Sequence, residues 1–253
     1  MIADYKQLTE DFRTLGIVKG DSVIVHSSYK SMGGIEGGIE TLIEAMLSVV
    51  GDSGTLIFPT LTYVTVTAQN PIFDYLRSPS CTGAISEYVR NMNSSIRSIH
   101  PTHSVAAIGA NATYFTGGHE NDRTPCGENS PFRKNIESGG KILMLGCNVA
   151  YNTTFHALEE MANTSYVLTS PPIEHTIILP SGSYKGNYRR HSIVQNGYAQ
   201  RYDRITAEEG NGLIKGYVHG AHCHLFSADI MAKCALSLMS KDEKYFVEKI
   251  QKN

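Results

Sequence analysis

Between the apolar run "KILMLGC" and "MANTSYVL" lies "NTTFHALEE", Asn152 to Glu160, in which one histidine is followed by carboxylates three and four residues later. With Asn152 or Thr153 as N-cap, His156 falls in the first turn of a helix, where the positive end of the dipole disfavours imidazolium and keeps a neutral base near pH 7. Glu159 and Glu160 can each share a face with it, and a carboxylate on the far ring nitrogen fixes the tautomer and supports the cation formed on proton uptake. Dipole and carboxylate act in opposite directions on the resting charge. The same residues also fit a capped helix with ordinary surface carboxylates.

Three further stretches carry reactive residue types. "HSSYKSMGGIEGG", from His26 to Gly38, places hydroxyls and glycines ahead of a helix start, a combination that lets backbone N–H groups approach an anion such as a pyrophosphate. Its spacing is neither GxGxxG nor a Walker loop, and the glycines would also serve to shape a turn. "RSIHPTHSVAAIG", Arg97 to Gly109, sets two histidines and hydroxyl residues before a buried run, where α/β sites often sit. "HGAHCHLF", from His219, resembles a metal tract, but on a strand His222 and His224 face one way and Cys223 the other, and no HExxH or paired-cysteine spacing supports zinc. Cys147 ends a core segment beside a helix start, where a thiol either loses its proton more easily or is simply buried. A G-x-S-x-G elbow is missing, so a serine hydrolase of that type is unsupported.

The elements that must position these groups follow from periodicity. Leu8, Phe12 and Leu15 recur at helical spacing, and "SVIVHSS" reads as a short buried strand. "IETLIEAMLSVV" gathers Leu42, Ile43, Met46, Leu47 and Val50 on one helical face, and "TLIFPT" is a second buried strand. Strand, helix and strand in so few residues make a βαβ unit with parallel strands. Residues 61–80 are aperiodic and suit a substrate loop, and "TGAISEYVRNM" resumes a helix. "SVAAIGANATYFTGG" and "KILMLGC" supply further core segments, with a helix over 152–163. After "TSPP" the pattern alternates ("HTIILP", "SIVQNGYAQRYDRI"), as antiparallel strands do, and "ADIMAKCALSLMS" closes as an amphipathic helix. The expectation is an α/β fold, a βαβ-based mixed sheet flanked by helices with antiparallel additions in the C-terminal third, forming a single domain over 1–253.

Composition narrows the function classes. Lys+Arg 22 against Asp+Glu 24 leaves no basic field for nucleic acid. Cys81, Cys126, Cys147, Cys223 and Cys234 are odd in number and lack a CxxC pair, which suits reduced thiols rather than a disulfide framework. The N-terminal stretch is polar and helix-patterned, and no stretch reaches membrane-spanning length, so the expected compartment is the cytoplasm and no membrane partner is expected.

Taken in order, "LGIVKGDSVIVHSSYKSMGGIEGGIETLIEAMLSVVGDSGTLIFPT", "RSIHPTHSVAAIG", "TPCGENSPFRK" and "GGKILMLGCNVAYNTTFHALEE" resemble the aminoglycoside 3-N-acetyltransferase family, whose antibiotic N-acetyltransferase fold differs from that of the GNAT acetyltransferases. The likeness spans most of 8–162 and fades over 165–215. It implies a cytosolic enzyme moving an acetyl group from acetyl-CoA to an amine without metal, with a homodimer as one option for its assembly. It casts His156 as the catalytic base and Glu159 as its carboxylate. His26, Ser27, Ser28, Gly33 and Gly34 would contact the pantetheine and phosphates, with Ser104 nearby.

The acceptor is less clearly signalled. Aminoglycosides are polycations, yet 61–80 holds one acidic residue, Asp74, against Arg77. Tyr184 to Arg204 sets Lys185, Arg189, Arg190, Arg201 and Arg204 against Asp203. That region either faces an anion, the CoA phosphates or a nucleotide-linked or acidic amino sugar, or is a solvated basic face. Two other readings stand beside an amino-sugar acetyltransferase: a metal-dependent hydrolase using 219–224, and a CoA or nucleotide binder without activity, which the presence of both His156 and Glu159 argues against.

Overall fold

The computed structural model describes residues 2–251. Seven strands form the main sheet: β1 (Ser22–Ser27), β2 (Thr55–Pro59), β3 (Ile96–Arg97), β4 (Val105–Gly109), β5 (Lys141–Leu145), β6 (Leu213–Val218) and β7 (Ala221–Ser227), in the spatial order β6-β7-β5-β1-β2-β4-β3. The βαβ expectation holds: β1 runs parallel to β2, with Val23 opposite Leu56, and parallel to β5, with His26 opposite Met144. β4 is antiparallel to β2 and β7 antiparallel to β5, so the sheet is mixed with antiparallel additions at both edges.

Alternation along these strands creates two apolar faces. Val23, Val25, Leu56, Phe58, Leu143 and Leu145 point to one side, against α1 (Tyr5–Leu15), α2 (Gly38–Val50) and α3 (Ala84–Arg90). Ile24, Ile57, Ile142 and Met144 point to the other, against α4 (Ala112–Thr116), α5 (Pro131–Glu137), α6 (Thr154–Met161) and α7 (Ala228–Lys241). The period of two in a strand is thus converted into three layers. Local chemistry fixes the helix ends: the Asp4 side chain accepts from the Gln7 N–H at 2.8 Å at the start of α1, and Gly16 ends it at φ 107°. No helix among the described residues is long and apolar enough to cross a membrane.

Two expectations need correction. Residues 61–80 are not wholly irregular, because Ile72–Asp74 forms a strand parallel to Ile173–Leu179, which pairs in turn antiparallel with Gly182–Tyr188. Phe73, Ile177 and Tyr188 form the small apolar cluster that holds this second sheet together. Residues 192–204 do not form the alternating strands expected from "SIVQNGYAQRYDRI": only Tyr198–Gln200 is extended, paired with Val247–Lys249, and Tyr202–Ala207 is a 3₁₀ turn. The Asn196 N–H donates to the Ser192 carbonyl and Gly197 sits at φ 83°, which folds the chain back where a strand would continue.

Candidate active site

β1, β2 and β5 are mutually parallel in the centre of the sheet, so their carboxyl ends share one edge, the usual place for a site in an α/β sheet. A cavity of about 560 Å³ opens there, lined by His26 and Ser27 at the end of β1, Pro59 at the end of β2 and Cys147 beyond β5. α6 follows β5 across one short 3₁₀ turn and aims His156 into the same space. Asn152 caps it, its side-chain oxygen accepting from the Thr154 N–H at 3.1 Å, while Thr153 occupies the N-cap position with no side-chain cap bond.

The two carboxylates that sequence left as alternatives separate. His156 Nδ1 lies 2.9 Å from Glu159 Oε2, whereas Glu160 Oε1 lies 2.7 Å from His191 Nε2 and accepts from the Cys126 N–H at 2.9 Å. Glu159 is fully buried beneath the histidine. Tyr202 donates to the same Glu159 oxygen at 2.9 Å and stands 3.0 Å from His156 Nδ1. Burial first, and the Glu159 charge second, push the Tyr202 phenol well above its ordinary range, so it stays protonated and acts as a donor. Its ring stacks on Phe155 at 4.6 Å between centroids, which fixes the hydroxyl. With Glu159 accepting, His156 carries its proton on Nδ1 and presents the lone pair of Nε2 to the cavity, beside the Gln200 amide nitrogen at 3.3 Å.

A second row of histidines backs this pair. His191 Nδ1 is 3.1 Å from His103 Nε2, and His103 Nδ1 is 2.9 Å from the Thr102 hydroxyl. The His191 ring centroid lies 4.3 Å from that of His156. Burial holds His103 and His191 well below the ordinary imidazole range, reinforced for each by a neighbouring histidine. His26 is lowered to about 3 by burial and then by the proximity of His156. Burial raises Glu160 instead. Burial thus keeps His26, His103 and His191 as neutral imidazoles around the cavity.

Of the residues expected at a cofactor, His26 and Ser27 line the cavity. Ser28, Gly33, Gly34 and Ser104 are not among its lining residues. Ser28 precedes a 3₁₀ turn and Gly34 pairs with Ile2 in a short parallel bridge. Ser104 is buried between Thr60 and Arg97, whose Nε lies 3.1 Å from its hydroxyl. The groups of three side chains able to hold a metal ion among the described residues are His103, His156 and His191, with a ring nitrogen of each within 4.8 Å of the others, and Cys126, Glu160 and His191. Neither group includes His222 or His224, which stand on β7 with Cys223 facing the opposite side, as alternation requires. Burial pushes the Cys147 thiol up to about 12, so it is no ready nucleophile.

Sequence reasoning passed over Tyr202, Gln200 and His191. Each lies far along the chain from the helix it serves and carries no motif. The one visible signal is the polar and aromatic alternation in "YAQRY", residues 198–202.

Comparison with known proteins places the chain in a family. The family model for aminoglycoside 3-N-acetyltransferase matches residues 24–240. Aminoglycoside N(3)-acetyltransferase III of Salmonella sp. is 31% identical over 261 residues, covering 93% of this chain and 91% of the relative. Aminoglycoside N(3)-acetyltransferase VII of Streptomyces paromomycinus is 32% identical over 174 residues, and that alignment spans only 62% of this chain and 60% of the relative. Among solved structures, AAC-IIIb with CoASH superposes with a TM-score of 0.83 at 25% identity, covering 95% of this chain and 97% of that one. A histidine-to-alanine variant of AAC(3)-IVa in complex with a gentamicin gives 0.82 at 25% identity, covering 97% and 92%. By the extent of that match, the chain belongs to the aminoglycoside 3-N-acetyltransferase family of acyltransferases.

Proposed function

We propose that this protein transfers the acetyl group of acetyl-CoA to a primary amine of an amino sugar, with His156 as general base and Glu159 as the carboxylate that orients it. The observation carrying this reading is the buried Glu159–His156 pair, joined at 2.9 Å, with the imidazole opening into the cavity. An amine protonated at neutral pH must lose a proton before it can attack a thioester, and a neutral Nε2 held at the cavity wall is the group to take it. The amine nitrogen then bonds to the acetyl carbonyl carbon. As the tetrahedral adduct collapses, the carbon–sulfur bond breaks, the proton held by His156 passes to the departing thiolate, and the nitrogen gives up its second proton to solvent to leave the neutral amide. Glu159 and the Tyr202 hydroxyl stabilise the imidazolium and keep Nε2 aimed at the cavity.

His26 and Ser27, at the end of β1, would meet the thioester end of the cosubstrate, and the CoASH complex of AAC-IIIb supports a CoA thioester as donor. Ser28, Gly33, Gly34 and Ser104 would act only farther along the CoA or through neighbouring side chains. Leu61 and Tyr63 bring the 61–80 segment to the cavity wall, as a substrate loop requires, within the single domain we assign to 1–253. The test is thiol release from acetyl-CoA in the presence of a panel of amines, after thorough chelation. Amine-dependent release that survives chelation is expected, and release that needs added metal would overturn the reading.

A further inference from the structure

The five basic residues between Tyr184 and Arg204 are not equivalent in three dimensions. Lys185 pairs with Glu174 at 2.8 Å, Arg201 with Asp203 and Glu248, and Arg204 with Glu248 and the Tyr245 carbonyl. Arg189 gives its Nε–H to the Thr169 carbonyl. Arg190, like Arg189, has no carboxylate partner among the described residues and donates only to a backbone carbonyl, that of Tyr63 at 3.1 Å, but of the five it alone lines the cavity. It is half-buried, and that burial lowers its hold on its proton without making it neutral. No aspartate or glutamate is among the cavity-lining residues, which include four histidines. A half-desolvated guanidinium facing a cavity without anions calls for an anionic ligand, and the same wall offers a polycation nothing to pair with.

Resting on the acetyltransferase reading above, we propose that Arg190 binds a phosphate or carboxylate carried by the acceptor, so that the acceptor is an anionic amino sugar rather than a polycationic aminoglycoside. Position favours the acceptor over CoA. Arg190 precedes His191, whose ring lies 4.3 Å from that of His156, and its guanidinium holds the backbone of Tyr63, whose ring lies 6.3 Å from that of His103. These residues surround the base, where the amine and the thioester must meet. The diphosphate of CoA is held away from its sulfur by the whole pantetheine arm. Two backbone bonds fix the segment: the Thr169 N–H donates to the Arg190 carbonyl at 2.7 Å, and the Arg190 N–H to the Thr169 hydroxyl at 2.8 Å.

The experiment compares glucosamine, glucosamine 6-phosphate, a uridine-diphosphate-linked amino sugar and kanamycin as acceptors, following thiol release with the wild-type protein and with Arg190→Gln and Arg190→Lys. At least one anionic amine should exceed both glucosamine and kanamycin in kcat/KM by about tenfold or more, the scale of a charge-assisted contact. Arg190→Gln should raise the KM for that amine about tenfold to a hundredfold, with part of the loss recovered in Arg190→Lys and no matching rise in the KM for acetyl-CoA. A kanamycin preference overturns the proposal. So does a rise confined to the acetyl-CoA KM, which would assign Arg190 to the CoA phosphates. Thiol release with no charge preference removes the role of Arg190 alone, whereas no release with any amine removes the acetyltransferase reading and this inference with it.

Discussion

Lowering the pH from 7 to 5 should destabilise this protein steeply, because its buried histidines fold in the neutral form. His26 and His119 are each lowered from 6.5 to about 3, with burial the leading cause for both, and both are buried in the structure. In the unfolded chain the same imidazoles take up protons near 6.5, so the unfolded state binds more protons at every pH between the two values. A depressed histidine therefore contributes stability that is full above about 6.5 and is lost as pH falls toward its folded value. Each group contributes a slope that is half its limit at pH 6.5 and approaches about 1.36 kcal/mol per pH unit below it, so these two together give about 3 kcal/mol on going from pH 6.5 to 5. His100, His103 and His191 are lowered in the same direction and add to it. Burial raises the carboxyls of Asp122 and Glu160, which opposes the trend, but those groups start from 3.8 and 4.5. Against a domain stability of roughly 5–15 kcal/mol, a loss of this size removes about a fifth to a half or more of the margin by pH 5. Urea unfolding followed by circular dichroism at half-unit intervals from pH 7.5 to 5 measures the slope directly. A flat stability across that interval would refute the claim that these imidazoles are desolvated and neutral.

Other perturbations separate the parts of the site. Glu159→Gln removes the charge that holds the His156 tautomer and should cost about ten- to a hundredfold in kcat, while Glu160→Gln, which acts on His191, should cost less; equal losses would reject the pairing seen here. Cys147, pushed from 9.0 to about 12, should be alkylated by iodoacetamide about tenfold to a hundredfold more slowly than a thiol of ordinary acidity, and mass-spectrometric labelling at the ordinary rate would show that the thiol is not desolvated. Gly109→Ala drives a Cβ into the Gly54 carbonyl oxygen at φ +120°, so the melting temperature should fall by several degrees; an unchanged transition would mean that the β2–β4 edge can relax around it.

What could be read from sequence was local. The apolar run in "SVIVHSS" and the helical face of "IETLIEAMLSVV" pointed to a βαβ unit because each pattern is contained within a dozen residues, and the structure keeps both. A contact between His156 and a carboxylate was legible for the same reason, since spacings of three and four both share a helical face, but only the fold gives Glu159 to His156 and Glu160 to His191. Tyr202 and His191 were not legible. They reach the site from forty-six and thirty-five residues away through turns whose geometry depends on Gly197 and on backbone bonds to Thr169 and Val167. The direction of the glycine loop was not legible. Gly33 and Gly34 follow the turn after β1, where they meet His219 and Ile2 rather than the cavity, because a glycine pattern reports backbone freedom and not direction. The basic stretch before Arg204 looked uniform as letters. Only the fold shows that its charges divide among ion pairs, one guanidinium tied to the Thr169 carbonyl and one at the cavity.

The central claim, that His156 removes the proton from the acceptor amine, is tested most directly by the turnover of His156→Ala with acetyl-CoA and the preferred amine, set against its acetyl-CoA affinity. The account predicts a loss of about 10²- to 10⁴-fold in kcat with the affinity for acetyl-CoA within about twofold of wild type. Turnover within tenfold of wild type, in a variant with an unchanged circular dichroism spectrum, would contradict it.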